Sequence, residues 1–384
     1  MGINFPNAPT TNQLYPQPPV AGLPVYQWDG EKWTTQGASA TKTPIYTDGS
    51  TAMVAQLTLV GDPVNPTDAA DKHYVDSAPA LHNVGRNLIH NSLFNIQQRG
   101  VGPWGTGYTA DRWQLFTSTS ACNVYVIAAT DGDRGNIGDE AAASILEPQF
   151  SGTGGAGDYV IIGQAIENVR RLANKTVTLS FWANASAALK FGVSFDQIFG
   201  TGGSPSPAVQ GNGSSVTLSG SWSRYSLTFA IPSIAGKVLG TNNDTRTQMY
   251  LWLSTGSSNS VRSGGVGVQS GTVNIWGVQL EVGSVATPLE KPDPQQDLAK
   301  CQRFYQTGYY QLYAYGTAGS VVMYNRTFVV ALRTNNPVIT SNNTTLANGT
   351  ASIGVYGDGL QVGVTVTAAG MMQLAGIFTA SADF

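Results

Sequence analysis

The stretch Val177-Thr178-Leu179-Ser180-Phe181 decides how this chain reads. Apolar and hydroxyl residues alternate in it with period two, the pattern of a strand with one buried face, whereas a helix needs a period near 3.6. The same alternation recurs on both sides. Phe191, Val193 and Phe195 are spaced by Gly192 and Ser194, and Tyr225, Leu227, Phe229 and Ile231 by residues that include Ser226 and Thr228. Met249, Leu251 and Leu253 share one face, with Tyr250 and Trp252 on the other. Val273 and Ile275 share a face, but Val278 and Leu280 have the opposite parity, which places a β-bulge at Trp276-Gly277. About eight such strands, separated by Gly/Ser/Asn loops, predict a two-sheet jelly roll over 87–290.

Composition agrees with an all-β chain. Charged residues are 11% of the 384, against roughly 25% in ordinary soluble domains, while 41% are hydrophobic and 45 are Gly. Gly and Asn supply the positive φ that hairpin turns require and suit helices poorly. With a net charge of −3 and no basic run, nothing reads as a nucleic-acid surface. No apolar run reaches the ~18 residues of a membrane span, and the first residues lack the pattern of a secretion signal. A surface so poor in Lys and Glu resists self-association weakly, so part of it is expected to be buried against copies of the same chain.

Toward the N-terminus, residues 1–24 are rich in Pro, Asn, Thr and Gln and read as an extended arm with little core. Within 1–37, Val25-Tyr26-Gln27-Trp28 and Trp33 flank Asp29-Gly30, a hairpin signal. The 38–86 stretch reads as a shaft segment with a helix of three turns at most beginning near Thr67 or Asp68. Its narrow stripe, Ala70 and Tyr74, is too short to hold alone and would pack about a threefold axis. Beyond the jelly roll, 291–307 is a Pro-bounded linker and short helix, with Leu298, Cys301 and Tyr305 at helical spacing. Leu298 and Tyr305 are further candidate trimer contacts. Residues 308–384 form a small β tip domain with expected strands at 309–315, 320–332, 351–356, 360–367 and 371–379, and a turn at Tyr356-Gly357-Asp358-Gly359.

Several segments, in order, resemble tail-fibre proteins of tailed bacteriophages. The first is Leu57-Thr58-Leu59 and Gly61-Asp62-Pro63, followed by Asp68-Ala69-Ala70-Asp71-Lys72-His73-Tyr74-Val75-Asp76. The second is Arg86-Asn87-Leu88-Ile89-His90-Asn91, Gln97-Gln98-Arg99-Gly100 and Tyr108-Thr109-Ala110-Asp111-Arg112-Trp113, similar to the opening of a fibre jelly roll with the character of a carbohydrate-binding module. The third, Val278-Gln279-Leu280-Glu281-Val282-Gly283, Ala286-Thr287-Pro288 and Cys301-Gln302-Arg303-Phe304-Tyr305, is similar to its closing. This resemblance, over roughly 57–307, implies a homotrimer assembled in the host cytoplasm and carried on the virion. It further implies attachment to other virion proteins through 1–37 and distal domains that meet a glycan of the host surface. A collar, head or connector fibre without host contact is the alternative, and a glycan depolymerase a third reading.

Candidate chemistry is sparse. A glycosidase needs two carboxylates about 5–10 Å apart. Glu167 and Asp196 lie near strand edges where they could meet, but no enzyme is expected. Asp131, Asp133 and Asp139 sit in a Gly-rich acidic stretch that reads as a solvated loop, with a structural Ca²⁺ as the sharper alternative; it lacks EF-hand spacing. No other cofactor is expected. His73, His82 and His90 read as surface or interchain residues rather than as metal ligands on a trimer axis. Cys122 and Cys301 read as two buried thiols. Gly200-Thr201-Gly202-Gly203 and Ser263-Gly264-Gly265 lack the Lys-Ser/Thr of a phosphate loop. For sugar binding, aromatic faces matter most. On a strand, Tyr309, Tyr313 and Tyr315 share one face and Tyr310 takes the other, so the three form either a sugar platform or trimer core. Trp104, in a Gly-Pro-Trp-Gly loop, is a second candidate, whereas Trp113, Trp182 and Trp222 read as core.

Overall fold

The computed structural model describes residues 4–18, 20, 24–36, 85–118 and 120–384. The chain divides into two compact units, 1–76 and 77–384. The shaft segment up to residue 84, with Ala70, Tyr74, His73 and His82, lies outside the described residues.

In the first unit, β1 (Leu14–Tyr15), β2 (Val25–Trp28) and β3 (Trp33–Gln36) form one antiparallel sheet in that order. Trp28 pairs with Trp33 across the expected hairpin. The turn closes because Asp29 Oδ1 accepts the backbone N–H groups of Glu31 and Lys32, both at 2.8 Å, while Gly30 takes φ +113°. Within the expected arm, residues 4–18 are more than an extended tail. They supply β1, and the Phe5 ring stacks on Trp33 at 5.0 Å. A two-stranded hairpin is marginal in water, and the third strand with its aromatic cluster gives it something to bury.

The second unit opens with a sandwich. Its strands are β4 (Gly107–Tyr108), β5 (Gln114–Thr117), β6 (Ala121–Ala128), β7 (Ser144–Ser151), β8 (Tyr159–Glu167), β9 (Thr176–Ala185) and β10 (Leu189–Ile198). There follow β11 (Val209–Gln210), β12 (Ser214–Leu218), β13 (Ser223–Ala230), β14 (Arg246–Thr255) and β15 (Ser270–Val282). One sheet runs β11-β10-β14-β8-β5-β4 with β12 also on β10; the other runs β13-β9-β15-β7-β6. All pairings are antiparallel, and the two sheets form the jelly-roll sandwich that the alternation predicted. Phe181, Phe191, Val193, Leu251 and Leu280 meet in one core between them. The bulge falls where parity required it: register shifts between Trp276 and Gln279, and Gly277 has φ +61°.

Two local readings change. Asp131–Ile137 is a helix, α1, not a loop. Its two glycines hid it, but Thr130 and Asp133 form a capping box and Gly138 closes the C-terminus at φ 75°. After a helical turn, α2 (Ser260–Ser263), helix α3 spans Pro294–Gln302. Its buried residues are Asp297 and Cys301, and Phe304 just beyond is buried too. Leu298 is only half-buried, and Tyr305 has left the helix to begin a strand.

The tip comprises β16 (Tyr305–Gly316), β17 (Val321–Thr327), β18 (Val338–Ala347), β19 (Gly349–Tyr356), β20 (Gly359–Val366) and β21 (Gly370–Ser381). Two three-stranded sheets, β16-β21-β18 and β17-β20-β19, enclose Tyr310, Val362, Val364, Met372, Leu374 and Phe378. The expected strand 320–332 stops at Thr327, and β18 was not foreseen. β18 is an edge strand whose sequence, VITSNNTTLA, is polar on both faces, so period-two alternation is faint in it.

Candidate functional site

The outer face of the β16-β21-β18 sheet carries the aromatic row. Odd-numbered residues of β16 point away from the tip core, so Tyr309, Tyr313 and Tyr315 are 49%, 53% and 78% exposed while Tyr310 is 1% exposed. Strand β21 sets their neighbours: Tyr309 lies opposite Ile377, Tyr313 opposite Gln373, and Tyr315 opposite Met371. At ~3.4 Å per residue, Tyr313 and Tyr315 stand about 7 Å apart, and Tyr309 and Tyr313 about 14 Å. Tyr313 is held in place, because its hydroxyl accepts from Gln311 Nε2 at 2.6 Å and Gln373 Nε2 at 2.8 Å. On the inner side, Tyr310 needs Gly376 opposite it: a Cβ there would run into the Tyr310 hydroxyl. The face is therefore an uncharged array of phenol rings and amides with apolar Ile377 and the 70% exposed Met371 beside it.

Trp104 lies elsewhere. Its backbone bridges to Val124 of β6, its indole Nε1 donates to the Arg99 carbonyl at 3.3 Å, and its half-buried ring packs on the jelly-roll core. The structure does not bring it to the tyrosine row. Trp113 is fully buried and Trp222 buried; Trp182 is half-buried against Trp276 at 5.5 Å.

The second and third motifs of the resemblance fold into one clasp, while the first, 57–76, lies outside the described residues. Asn87 receives Leu280 N–H on Oδ1 at 3.1 Å and donates Nδ2 to the Val278 carbonyl at 3.1 Å, tying opening to closing motif. Asn91, at φ +51°, uses its side chain to hold the Ile96 amide and carbonyl and the Asp111 carbonyl. Its own N–H donates to Asp297 of α3 at 3.0 Å. Arg112 is buried beneath Phe304, with Cζ 3.4 Å from the ring centroid, and donates to the Ala165 carbonyl at 2.6 Å. Arg99 lies over the Tyr305 ring at 3.6 Å and pairs with Asp383, which also faces Arg112. Tyr305 is thus engaged within its own chain. Asp297 and Asp383, which sequence reading passed over, complete this clasp.

No family model matches the chain, and no curated protein matches it in sequence. Solved structures do resemble it. The enzymatically active domain of tailspike protein 4 from bacteriophage CBA120 aligns at 14% identity and TM-score 0.31, over 52% of this chain and 22% of its own. A putative sugar binding protein from Bacteroides thetaiotaomicron aligns at 15% and 0.33, over 51% and 100%. A family 11 carbohydrate-binding module from Clostridium thermocellum, in complex with a β-1,3-1,4-mixed-linked tetrasaccharide, aligns at 11% and 0.29, over 48% and 99%.

The acidic candidates are engaged by protein groups. Asp133 receives Thr130 N–H and Trp222 Nε1, Asp131 pairs with Arg134, and Asp139 pairs with Lys291 at 2.8 Å. Hydrogen bonds from Thr130 and Trp222, outweighing partial burial, hold the Asp133 carboxyl below the usual range. Among the described residues no group of three His, Cys, Asp or Glu is placed to hold a metal. Glu167 pairs with Arg303 at 3.1 Å and Asp196 with Arg262 at 2.6 Å, on strands separated by β14. Burial raises the Asp196 carboxyl despite its arginine. His90 packs against Phe304, and burial and Arg112 hold it well below the usual imidazole range. Both thiols are free; burial pushes Cys122 up to about 12 and raises Cys301 as well. Cys122 is only half-buried, unlike Cys301. No described helix is long and apolar enough to cross a membrane.

Proposed function

We propose that this chain is a bacteriophage tail fibre that binds glycan on the host surface through the tip face of Tyr309, Tyr313 and Tyr315, works as a homotrimer, and attaches to the virion through residues 1–37. The observation that carries the reading is the exposed row itself. Three phenol rings in line on a rigid sheet, one pinned by two glutamines, offer stacking faces and hydrogen bonds at little ordering cost. The sequence resemblance supplies the biological setting. A binder rather than a depolymerase is favoured because Glu167 and Asp196 are each committed to an arginine.

The test is binding of fluorescently labelled chain to host cells and to their purified surface polysaccharide, for wild type and Tyr309→Ala, Tyr313→Ala and Tyr315→Ala. Losing a ring is expected to cost about 1–1.5 kcal/mol, roughly tenfold per site, and more when three copies bind together. Unchanged binding in the triple variant would refute the platform. The same face could instead be the trimer contact. Light scattering decides this: wild type should run at three times 40.4 kDa, and the platform reading requires the triple variant to stay trimeric. No binding by wild type would favour a collar, head or connector fibre, and release of reducing ends would favour an enzyme.

A further inference from the structure

The jelly roll has an opening at its edge. Between the ends of its two sheets lies a pocket of about 420 Å³, within the usual ~300–1,000 Å³ of small-molecule sites. Its apolar wall is Phe195 of β10 against Phe229 of β13, ring centroids 5.1 Å apart and nearly edge to face, with Ile231 beside them. Its rim carries two exposed amides, Gln210 and Asn212. The loop can come this close only because Gly211 has no Cβ, which would run into the Phe195 carbonyl.

The third wall is backbone. Strand β13 ends its sheet, and Ile231 N–H donates inward to the Lys175 carbonyl at 2.9 Å. Antiparallel alternation therefore turns the N–H and C=O of Thr228 and Ala230 away from β9, toward the pocket they line. Nearby, buried Gln197 donates Nε2 to the carbonyl of the pocket residue Pro232 at 2.8 Å, while its Oε1 is buried with no hydrogen-bond partner among the described residues. No charged side chain lines the space.

We infer that this pocket is a second binding site, for a neutral pyranose such as the terminal sugar of a host glycan. A hexose ring has an apolar face for the phenylalanines and hydroxyls that both donate and accept, which suits two amides and a free strand edge; an acidic sugar would find no counter-charge. An extended peptide would need a clear row along β13, but β12 approaches that edge. The inference rests on reading the chain as a glycan binder, yet not on the tyrosine face.

The experiment is saturation-transfer NMR on the full chain with methyl glycosides of glucose, galactose, mannose, N-acetylglucosamine and rhamnose. At least one should receive transfer, and Gln210→Ala/Asn212→Ala should weaken it about tenfold or more, the loss of two hydrogen bonds. Both side chains are exposed, so this variant should keep the wild-type melting temperature. The tyrosine triple variant should leave the transfer intact even if it loses cell binding, which separates the two sites. No transfer to any glycoside, or equal transfer in the double variant, would overturn the inference. Binding of an extended Val-Thr-Val-Thr peptide in place of every glycoside would also overturn it.

Discussion

Replacing Asn91 by Ala tests whether the fibre-like opening motif is scaffold. Asn91 is fully buried, and its side chain makes three hydrogen bonds: to the Ile96 and Asp111 carbonyls at 2.9 and 3.1 Å, and from the Ile96 amide at 2.9 Å. Each is worth about 1 kcal/mol, and the partners left behind are largely shielded from water. Alanine must also hold φ +51°, a region where Asn is tolerated and Ala is strained by about 1 kcal/mol. The total is about 3–5 kcal/mol, or roughly 5–8 °C in melting temperature for a unit of this size. Urea unfolding followed by tryptophan fluorescence is a direct readout, since Trp113 Nε1 donates to the Asn91 carbonyl. Asn91→Asp sharpens the test. At neutral pH its carboxylate would face two carbonyl oxygens, so the loss should match or exceed that of Ala and shrink near pH 4, where the acid can donate one bond. The exposed Asn136→Ala should change little. A loss under 1 kcal/mol in Asn91→Ala would refute the clasp.

Two further predictions concern buried titratable groups. Burial raises the Asp297 carboxyl, so the folded chain binds its proton more tightly than the unfolded chain does. The resulting penalty is absent below the unfolded pKa, grows as pH rises toward the folded one, and is complete above it. Asp297→Asn keeps an acceptor for the Asn91 N–H and should therefore be at least as stable at pH 7, its advantage growing between about pH 4 and 7; melting curves across that range check it, and a variant less stable throughout would contradict it. Cys122 and Cys301 should resist iodoacetamide at about pH 8 in the native chain and react after unfolding, because burial disfavours both thiolates; rapid native labelling would show otherwise.

Local pattern exposed much of the architecture. The alternation at Val177–Phe181, the parity break at Trp276-Gly277 and the Asp29-Gly30 turn each encode a backbone feature within a few residues. The same rule puts Tyr309, Tyr313 and Tyr315 on one face. It failed where local signals were weak or mixed. In α1, two glycines outweighed a capping box, and in β18 a polar sequence is held in strand by pairing to β21. The motif residues 86–113 are contiguous in sequence, yet their work depends on partners near 280, 297, 304 and 383.

By itself, then, the sequence determined an all-β chain, the faces of its main strands, its tightest turns and the tyrosine row, because these follow from side-chain alternation and from which residues tolerate positive φ. Tertiary structure decided which row faces solvent, that Tyr305 lies beneath Arg99, and that Phe195 and Phe229 meet beside a free strand edge. Those outcomes turn on contacts between residues tens to hundreds of positions apart, which no local period records.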